Sequence, residues 1–302
     1  MQKRVKLVPR YLPYPVAVTQ LPPSHNGTIF PQETRRARYP TATATTTATT
    51  LIMSPKIHLI RHAQGEHNST RNYAIRDAVL TPKGKEQCRT LRSAFEYHNE
   101  VDIVFASPLR RTIQTAALSL GPALSRKEVP FILMPVLQEV SNIGCDVGIA
   151  DTAEDVKQFL PELFAEGEVE FDIEKVDASA VTKGWNSKRG YWAYEKQAIM
   201  KRATDFRNFL FQRPEKQIVL VTHGAFAHFL TEDWDVEDPM TGTAYKNCEH
   251  REFVFTDSST AEDAHVIEIL ESRTRRGVKG AEDDPHVLQE LETIVHKDKQ
   301  QI

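Results

Sequence analysis

Two histidines follow apolar, β-branched runs of this sequence, and each is a residue type that can attack or protonate a reacting group. His62 follows "KIHLIR" at 56–61, and His223 follows "KQIVLVT" at 216–222. Polar side chains at the end of a buried strand cost desolvation energy, which indicates a compensating structural or functional role. Arg61 precedes the first histidine, and Arg111 lies in "SPLRRTIQTA". Arginines beside imidazoles suit the binding of a dianion, because guanidinium forks match phosphate oxygens.

The elements that must position these residues are alternating strands and helices. Apolar runs predict strands at 56–60, 101–107, 129–135 and 216–224, and two closing strands, "REFVFT" and "HVIEIL", with antiparallel pairing. Helices are predicted after Thr81, after Ser107 and over 191–211. This alternation, with fully apolar strands, predicts an α/β fold: a three-layer α/β/α sandwich with a mainly parallel central sheet.

The carboxyl ends of such strands meet at one edge of the sheet, where ligands bind. His62 follows the first predicted strand, Ser107 ends the second, Glu139 comes after the third, and His223 ends the fourth. Residues that are far apart in the sequence are therefore expected to converge at one edge. Helix N-termini there add positive potential, which favours an anionic ligand.

Four segments together resemble a known family. "LIRHAQGEHN", "LTPKGKEQ", "SPLRRTIQTA" and "VTHG" resemble, in this order and spacing, the motifs of the histidine phosphatase superfamily, the phosphoglycerate mutase-like enzymes. The resemblance covers roughly 56–231. It implies a central sheet flanked by helices and a reaction that proceeds through a phosphohistidine.

The resemblance also implies roles for single residues. His62 corresponds to the nucleophile, which attacks phosphorus in line. Arg61 and Arg111 correspond to the arginines that clamp the phosphoryl oxygens. His223 corresponds to the second histidine, which donates a hydrogen bond to the moving phosphoryl group. The catalytic set is thus His62, Glu139, His223, Arg61 and Arg111.

Further positions follow from the same motifs. The phosphate-binding set is Arg61, Asn68, Arg111, His223 and Gly224. Glu139, in "VLQEV", stands where the family has its proton donor, which protonates the leaving alkoxide and then deprotonates the attacking water. Asp146, in "GCDVG", remains the alternative acid.

Other polar residues near the motifs have structural interpretations. Arg110 is interpreted as a surface residue, and His58, His67 and His228 as packing or surface histidines. No pair of residues has the spacing of a metal site, so no metal and no cofactor are expected.

Departures from the motifs bear on the reaction. Ala63 replaces the motif glycine, Gly65 replaces a serine or threonine, and "STRNYAIRDAVLT" stands where glycolytic mutases have an F-x-G-W segment. The sequence therefore resembles the fungal branch of mutase-like phosphatases. The leading hypothesis is a metal-independent phosphomonoesterase acting on a small phosphorylated metabolite. A phosphoglycerate mutase-type transfer and a non-catalytic phospholigand-binding module remain the alternatives.

Composition excludes other classes of function. The net charge of -3 argues against a general nucleic-acid or membrane-surface binder, and no apolar run is long enough to span a bilayer. Three scattered cysteines, Cys88, Cys145 and Cys248, favour reduced thiols in an intracellular protein. The oligomeric state stays open.

Three regions are predicted along the chain. Residues 1–54, which hold many prolines and "TATATTTATT", are predicted to be a disordered extension, residues 55–271 the catalytic domain, and residues 272–302 a charged, peripheral tail. The predicted location is cytoplasmic, with mitochondrial targeting by the basic extension as the alternative. Substrate choice is assigned to 140–192, where basic and aromatic residues accumulate.

Overall fold

A computed structural model of the chain describes residues 54–233, 245–277 and 285–299. All of them belong to one unit, Ile52–Ile302. The predicted extension over 1–54 lies outside the described residues apart from Ser54. The boundaries between the three predicted regions therefore stay predictions.

The described residues form seven strands and nine α-helices. The strands are β1 (Lys56–Arg61), β2 (Ile103–Ala106), β3 (Phe131–Leu133), β4 (Val176–Asp177), β5 (Gln217–Thr222), β6 (His250–Phe255) and β7 (Val266–Glu268). The helices are α1 (Glu66–Thr70), α2 (Pro82–Ala94), α3 (Arg110–Ser119), α4 (Gly121–Leu124), α5 (Ala153–Phe159), α6 (Lys196–Phe211), α7 (Gly224–Thr231), α8 (Leu270–Arg276) and α9 (Pro285–Lys299).

The strands make one sheet in the order β4-β3-β2-β5-β1-β6-β7. The pairs between β4 and β1 are parallel, whereas β6 pairs antiparallel with β1 and β7 pairs antiparallel with β6. This confirms the mainly parallel sheet and the antiparallel closing strands. Arg61 pairs with Thr222, so the residues that follow them, His62 and His223, leave adjacent strands at the same level.

Alternate residues of each central strand face opposite sides, which produces two apolar layers. On one face, Ile60, Val104 and Val221 pack with α2, α3 and α5. On the other face, Leu59, Phe105 and Leu220 pack with α6, α7 and α9. The arrangement is the predicted three-layer α/β/α sandwich, and the strand ends at its edge are fixed from both sides.

The C-terminal segment differs from the predicted peripheral tail. Helix α9 buries Val287, Leu291 and Ile294 in the layer formed by α6 and α7, because these residues recur every three or four positions on one face. The many charges of the segment hide this stripe in the sequence. The segment is thus part of the core and reaches the strand ends through its N-terminal residues, His286 and Glu290, both of which are buried.

The region 138–190, where the sequence predicts no regular helix or strand, contains helix α5. Thr152 accepts a hydrogen bond from Asp155 N–H, and the Asp155 side chain accepts from Thr152 N–H, which makes a capping box for α5. Short 3-10 turns, including Gly144–Asp146 and Gly190–Trp192, account for much of the rest. No helix among the described residues is both long and apolar enough to cross a membrane.

Candidate active site

The two histidines of the strand ends face each other. The ring centroids of His62 and His223 lie 5.2 Å apart, and the exposed fractions of the two residues are 2% and 0%. The parallel pairing of β1 with β5 produces this proximity, since each histidine comes directly after its strand. The convergence predicted from the motif order is therefore present in the structure.

His62 is held as a neutral ring with one free nitrogen. Its Nδ1 lies 2.8 Å from the carbonyl oxygen of Ala63, and a carbonyl oxygen can only accept, so Nδ1 carries the proton. The pKa of His62 lies well below its usual value because burial and the charges of Arg111 and Arg61 penalise the imidazolium form. The lone pair of Nε2 is therefore available at neutral pH.

His223 is neutral as well, in the opposite tautomer. Arg111 donates from Nη2 to its Nδ1 at 3.0 Å, so Nε2 carries the proton and donates to Ser107 Oγ at 2.9 Å. Burial lowers the pKa of His223 well below its usual value, and Arg111 adds to the effect. A fixed Nε2–H group thus lies beside His62.

Arg111 is fixed on the other side by two further acceptors. Its Nη1 donates to the carbonyl oxygen of Cys145 at 2.6 Å, and its Nη2 donates to Asp146 Oδ1 at 2.8 Å. Both charged partners are almost completely buried, with exposed fractions of 1% and 0%. Asp146 thus orients the guanidinium that reaches the histidine pair.

Arg61 lies next to the start of helix α7. Its Nη1 donates to the backbone carbonyl of Tyr245. A Cβ at Gly224 would come within 3.2 Å of Arg61 Nε and 2.7 Å of Val287 Cγ2, so only glycine allows the helix to approach so closely. The first turn of α7 and the Arg61 guanidinium thereby add positive potential from the same side.

Glu139 brings a carboxyl group to the first turn of α7. Its Oε1 accepts from Phe226 N–H at 2.9 Å and from Val140 N–H at 3.0 Å, and its Oε2 accepts from Ala225 N–H at 3.3 Å. Burial raises the pKa of Glu139, the negative charge of Asp146 raises it further, and these effects outweigh the hydrogen bonds. A raised pKa favours the protonated form of this carboxyl group.

Asp146 has the opposite electrostatics. Burial alone would raise its pKa, but hydrogen bonding with His286 and the charge of Arg111 hold it well below its usual value. Ser141 Oγ also donates to Asp146 Oδ2 at 2.6 Å. The two neighbouring acids thus differ: Asp146 is ionised as a partner of Arg111, and Glu139 is the one suited to hold a proton.

Comparison with known proteins identifies the family. Residues 57–266 match the sequence pattern of the histidine phosphatase superfamily (branch 1) over more than two thirds of the chain. The chain belongs to this superfamily. It is therefore an enzyme of the histidine phosphatase class, a phosphomonoesterase.

Two sequence relatives agree with this membership, and one solved structure is named for comparison. A phosphoglycerate mutase-like protein of Arabidopsis thaliana is 28% identical over 245 residues, which cover 67% of this chain and 84% of the relative. A probable phosphatase of Schizosaccharomyces pombe is 22% identical over 204 residues, which cover 65% of this chain and 88% of the relative. Among solved structures, a phosphoserine phosphatase mutant from Entamoeba histolytica in complex with phosphoserine matches with 22% identity and a TM-score of 0.42, over 71% of this chain and 94% of that one.

Asn68, another motif position of the superfamily, lies in the first turn of helix α1, shortly after β1. Its Oδ1 accepts from Gly65 N–H at 3.0 Å, so it closes the turn that follows His62. The residue is half-buried. This contact holds the loop, while a contact with phosphate remains a prediction.

Residues with structural interpretations have structural contacts. Arg110 donates from Nε to the carbonyl oxygen of Asp77 at 2.7 Å. His228 is buried against Tyr245, with ring centroids 5.1 Å apart. His67 is an intermediate case, because its ring centroid lies 5.7 Å from that of His62.

Sequence reasoning missed two groups of residues at the site. The first comes from α9: His286 Nε2 lies 3.4 Å from Asp146 Oδ2 and 3.8 Å from Glu290 Oε1. The second comprises Arg202 of α6 and Lys188, whose Nζ donates to the carbonyl oxygen of Glu139 at 2.7 Å. Lys188 was noted only as one of several basic residues of the 140–192 segment. Arg202 falls on the core stripe of α6, a position where a charge is a signal of function or pairing.

One group of side chains has the donors for a metal ion. Cys145, Asp146 and His286 bring a thiol, a carboxylate oxygen and an imidazole nitrogen within 4.8 Å of one another. Arg111 already pairs with Asp146, and burial raises the pKa of the Cys145 thiol, so a cation would have to displace a guanidinium and remove a proton. These local charges oppose a divalent cation.

Proposed function

We propose that this phosphomonoesterase hydrolyses a small phosphorylated metabolite through a phosphohistidine on His62, without a metal ion. The observation that carries the proposal is the state of the His62 ring. Its Nδ1 proton is held by a carbonyl 2.8 Å away, and its Nε2 lies free beside His223 and the two arginines. A neutral imidazole nitrogen in a cationic, buried site is the nucleophile that in-line phosphoryl transfer requires.

In the first step, the lone pair of His62 Nε2 forms a bond to phosphorus while the bond between phosphorus and the ester oxygen breaks. Arg61, Arg111 and the Nε2–H of His223 balance the charge on the three equatorial oxygens. This arrangement supplies positive charge from side chains that are already oriented, since Arg111 is fixed by Cys145 and Asp146.

Glu139 serves the leaving group. Its raised pKa allows it to give a proton to the departing alkoxide, and as a carboxylate it then takes a proton from the water that attacks the phosphohistidine. That water forms the new bond to phosphorus as the bond to His62 Nε2 breaks, which releases inorganic phosphate and restores the enzyme.

A panel of phosphomonoesters, assayed for phosphate release with EDTA present, tests this function. Wild-type protein is expected to release phosphate from at least one ester at the same rate with and without EDTA, and His62→Ala protein to release none while still binding inorganic phosphate. Activity that appears only with a bisphosphorylated primer would favour the mutase alternative. Absence of hydrolysis across the panel, with phosphate binding intact, would favour the phospholigand-binding module.

A further inference from the structure

Two buried cationic residues, Lys188 and Arg202, lie next to Glu139 and its surroundings. Lys188 has an exposed fraction of 6% and a left-handed backbone, with φ of 55°. Its ammonium group donates to the carbonyl oxygen of Glu139 at 2.7 Å. An ammonium group has three N–H donors, so this contact leaves capacity for a further acceptor.

Arg202 reaches the same region from α6. Its exposed fraction is 1%, and its guanidinium stacks over the ring of Phe226 at 4.4 Å. Within 54–233, 245–277 and 285–299, no hydrogen bond or ion pair reaches this guanidinium, and its Nε has no acceptor. A buried charge without such partners carries a large desolvation penalty.

Three other buried arginines of the described segments are compensated by carboxylates. Arg111 pairs with Asp146, Arg207 with Glu232, and Arg251 with both Asp233 and Glu249, which are all carboxylates within 3.2 Å.

Lys188 and Arg202 differ from these arginines, because no carboxylate of the described residues lies within ion-pair distance of either. Burial lowers the pKa of Lys188 to about 7 and that of Arg202 to about 10, and the charge of Arg202 lowers the pKa of Lys188 further. No carboxylate of the segments that the structure describes thus serves as a direct counter-ion for the pair.

The position of the pair relates it to the leaving group. Lys188 contacts the backbone of Glu139, and Arg202 stacks on Phe226, whose N–H binds the Glu139 carboxyl group. Glu139 is the proposed proton donor to the ester oxygen, so the alcohol part of the substrate must lie beside it. Lys188 also lines a polar cavity of about 580 Å³, together with Asn186 and Tyr194 among others.

We infer that Lys188 and Arg202 bind a second anionic group on the alcohol part of the substrate, so that the substrate is a phosphomonoester that also carries a carboxylate or a second phosphate. The inference rests on the proposed function of the same site. An anion there would supply the direct counter-charge that the described residues do not, and two cations in place allow bidentate or bridging contacts.

Matched pairs of esters test the inference. The pairs are 2-phosphoglycolate against ethyl phosphate, 3-phosphoglycerate against glycerol 3-phosphate, and 1,3-propanediol bisphosphate against propyl phosphate; the first two carry a carboxylate and the third a second phosphate. Wild-type kcat/KM is expected to be at least about tenfold higher for the acidic member of one pair, as expected for a charge-assisted contact. Equal values for both members of all three pairs would overturn the inference.

Arg202→Met and Lys188→Met remove the cations at similar side-chain length. Each is expected to lower kcat/KM for the preferred acidic ester at least about tenfold and to change that of its neutral partner less than about threefold. Arg202→Lys should recover part of the preference, and Lys183→Met, an exposed lysine of the same segment, should change neither value. A parallel loss on acidic and neutral esters would assign both residues a purely structural role and overturn the inference.

A binding measurement separates this inference from the proposed function. Calorimetry with His62→Ala protein compares the affinities for the two members of each pair without turnover. The anion site is supported if His62→Ala protein binds one acidic ester more tightly than its neutral partner and the double variant His62→Ala/Arg202→Met does not. This holds even if wild-type protein hydrolyses neither ester. Equal affinities in every pair contradict it even if hydrolysis is observed.

Discussion

Two histidine pairs of the same separation lie along strand β1, one towards each end. At its carboxyl end, His62 and His223 have ring centroids 5.2 Å apart, and at its amino end His58 and His250 are also 5.2 Å apart. Burial lowers the pKa in both pairs, to about 4 for His58 and about 3 for His250. Proximity, burial and a low pKa therefore do not by themselves make a catalytic pair.

The partners distinguish the two pairs. His58 donates from Nε2 to Gln217 Oε1 at 2.9 Å and accepts from His250 at Nδ1, with a nitrogen–nitrogen distance of 3.0 Å, so both of its ring nitrogens are occupied. Phe95 and Tyr97 enclose the pair. At the other end, the two rings form hydrogen bonds with different groups, and no described residue forms a hydrogen bond with Nε2 of His62.

The largest expected difference between the pairs is in turnover. His62→Ala should reduce kcat by about four orders of magnitude or more, because the nucleophile is lost, whereas His58→Ala should stay within about threefold of wild type. Phosphate release at a temperature at which both variants are folded measures this. Comparable losses in the two variants would mean that the pairs do not differ in role.

A smaller loss of turnover is expected when Glu139, the carboxyl group beside the pair of His62 and His223, is replaced. Glu139→Gln should lower kcat for alkyl phosphates by about 10²- to 10⁴-fold, because the alkoxide leaves without a proton. The loss on p-nitrophenyl phosphate should be much smaller, since nitrophenolate needs no proton to leave. An equal loss on both esters would contradict the assignment and return Asp146 to consideration.

The ion pair that supports the catalytic pair provides a stability test. Asp146→Asn removes the carboxylate from the buried Arg111 and should lower the free energy of unfolding by about 3 kcal/mol, together with phosphate affinity. Urea unfolding and calorimetry with inorganic phosphate measure the two effects. Glu86→Gln, at an exposed ion pair of α2, is the control and should change stability by less than about 1 kcal/mol.

The smallest expected effect is on how the free energy of unfolding depends on pH, through His58 of the amino-end pair. Because the folded-state pKa of His58, about 4, lies below the ordinary value of 6.5, the unfolded chain binds a proton that the folded chain does not as pH falls. Its contribution is therefore complete above pH 6.5 and is lost between pH 6.5 and 4. His58→Gln should reduce the decline in unfolding free energy between pH 7 and 4.5 by about 2 kcal/mol. An unchanged decline would show that His58 is not buried as a neutral ring.

The sequence predicts the centre of the site better than its surroundings. His62, Arg61, Arg111 and His223 are predictable because each lies in a short motif directly after a strand, and strand ends of a parallel sheet meet at one edge. Local sequence alone positions these four, so no long-range side-chain contact has to be anticipated.

The surroundings depend on tertiary packing. His286 reaches Asp146 because a few apolar residues of α9 pack in the core. Charged residues outnumber them in this part of the sequence, and for that reason the sequence predicts a peripheral tail. Arg202 lies between Ile199 and Phe206 on the core face of α6. The apolar pattern of this helix predicts the buried face, but it does not show which group would compensate a cation there. The partner of His58 was likewise hidden, since it depends on the register of β6 against β1.

The central claim, that only the His62 nitrogen is a nucleophile, is tested most directly by trapping the intermediate. Wild-type protein in steady-state turnover of a hydrolysed ester is quenched in alkali, which preserves phosphohistidine, and its peptides are examined by mass spectrometry. We predict phosphate on His62, lost on acid treatment, present in His58→Ala protein and missing from His62→Ala protein. Turnover without a phosphorylated His62, or with phosphate on another residue, would contradict the account.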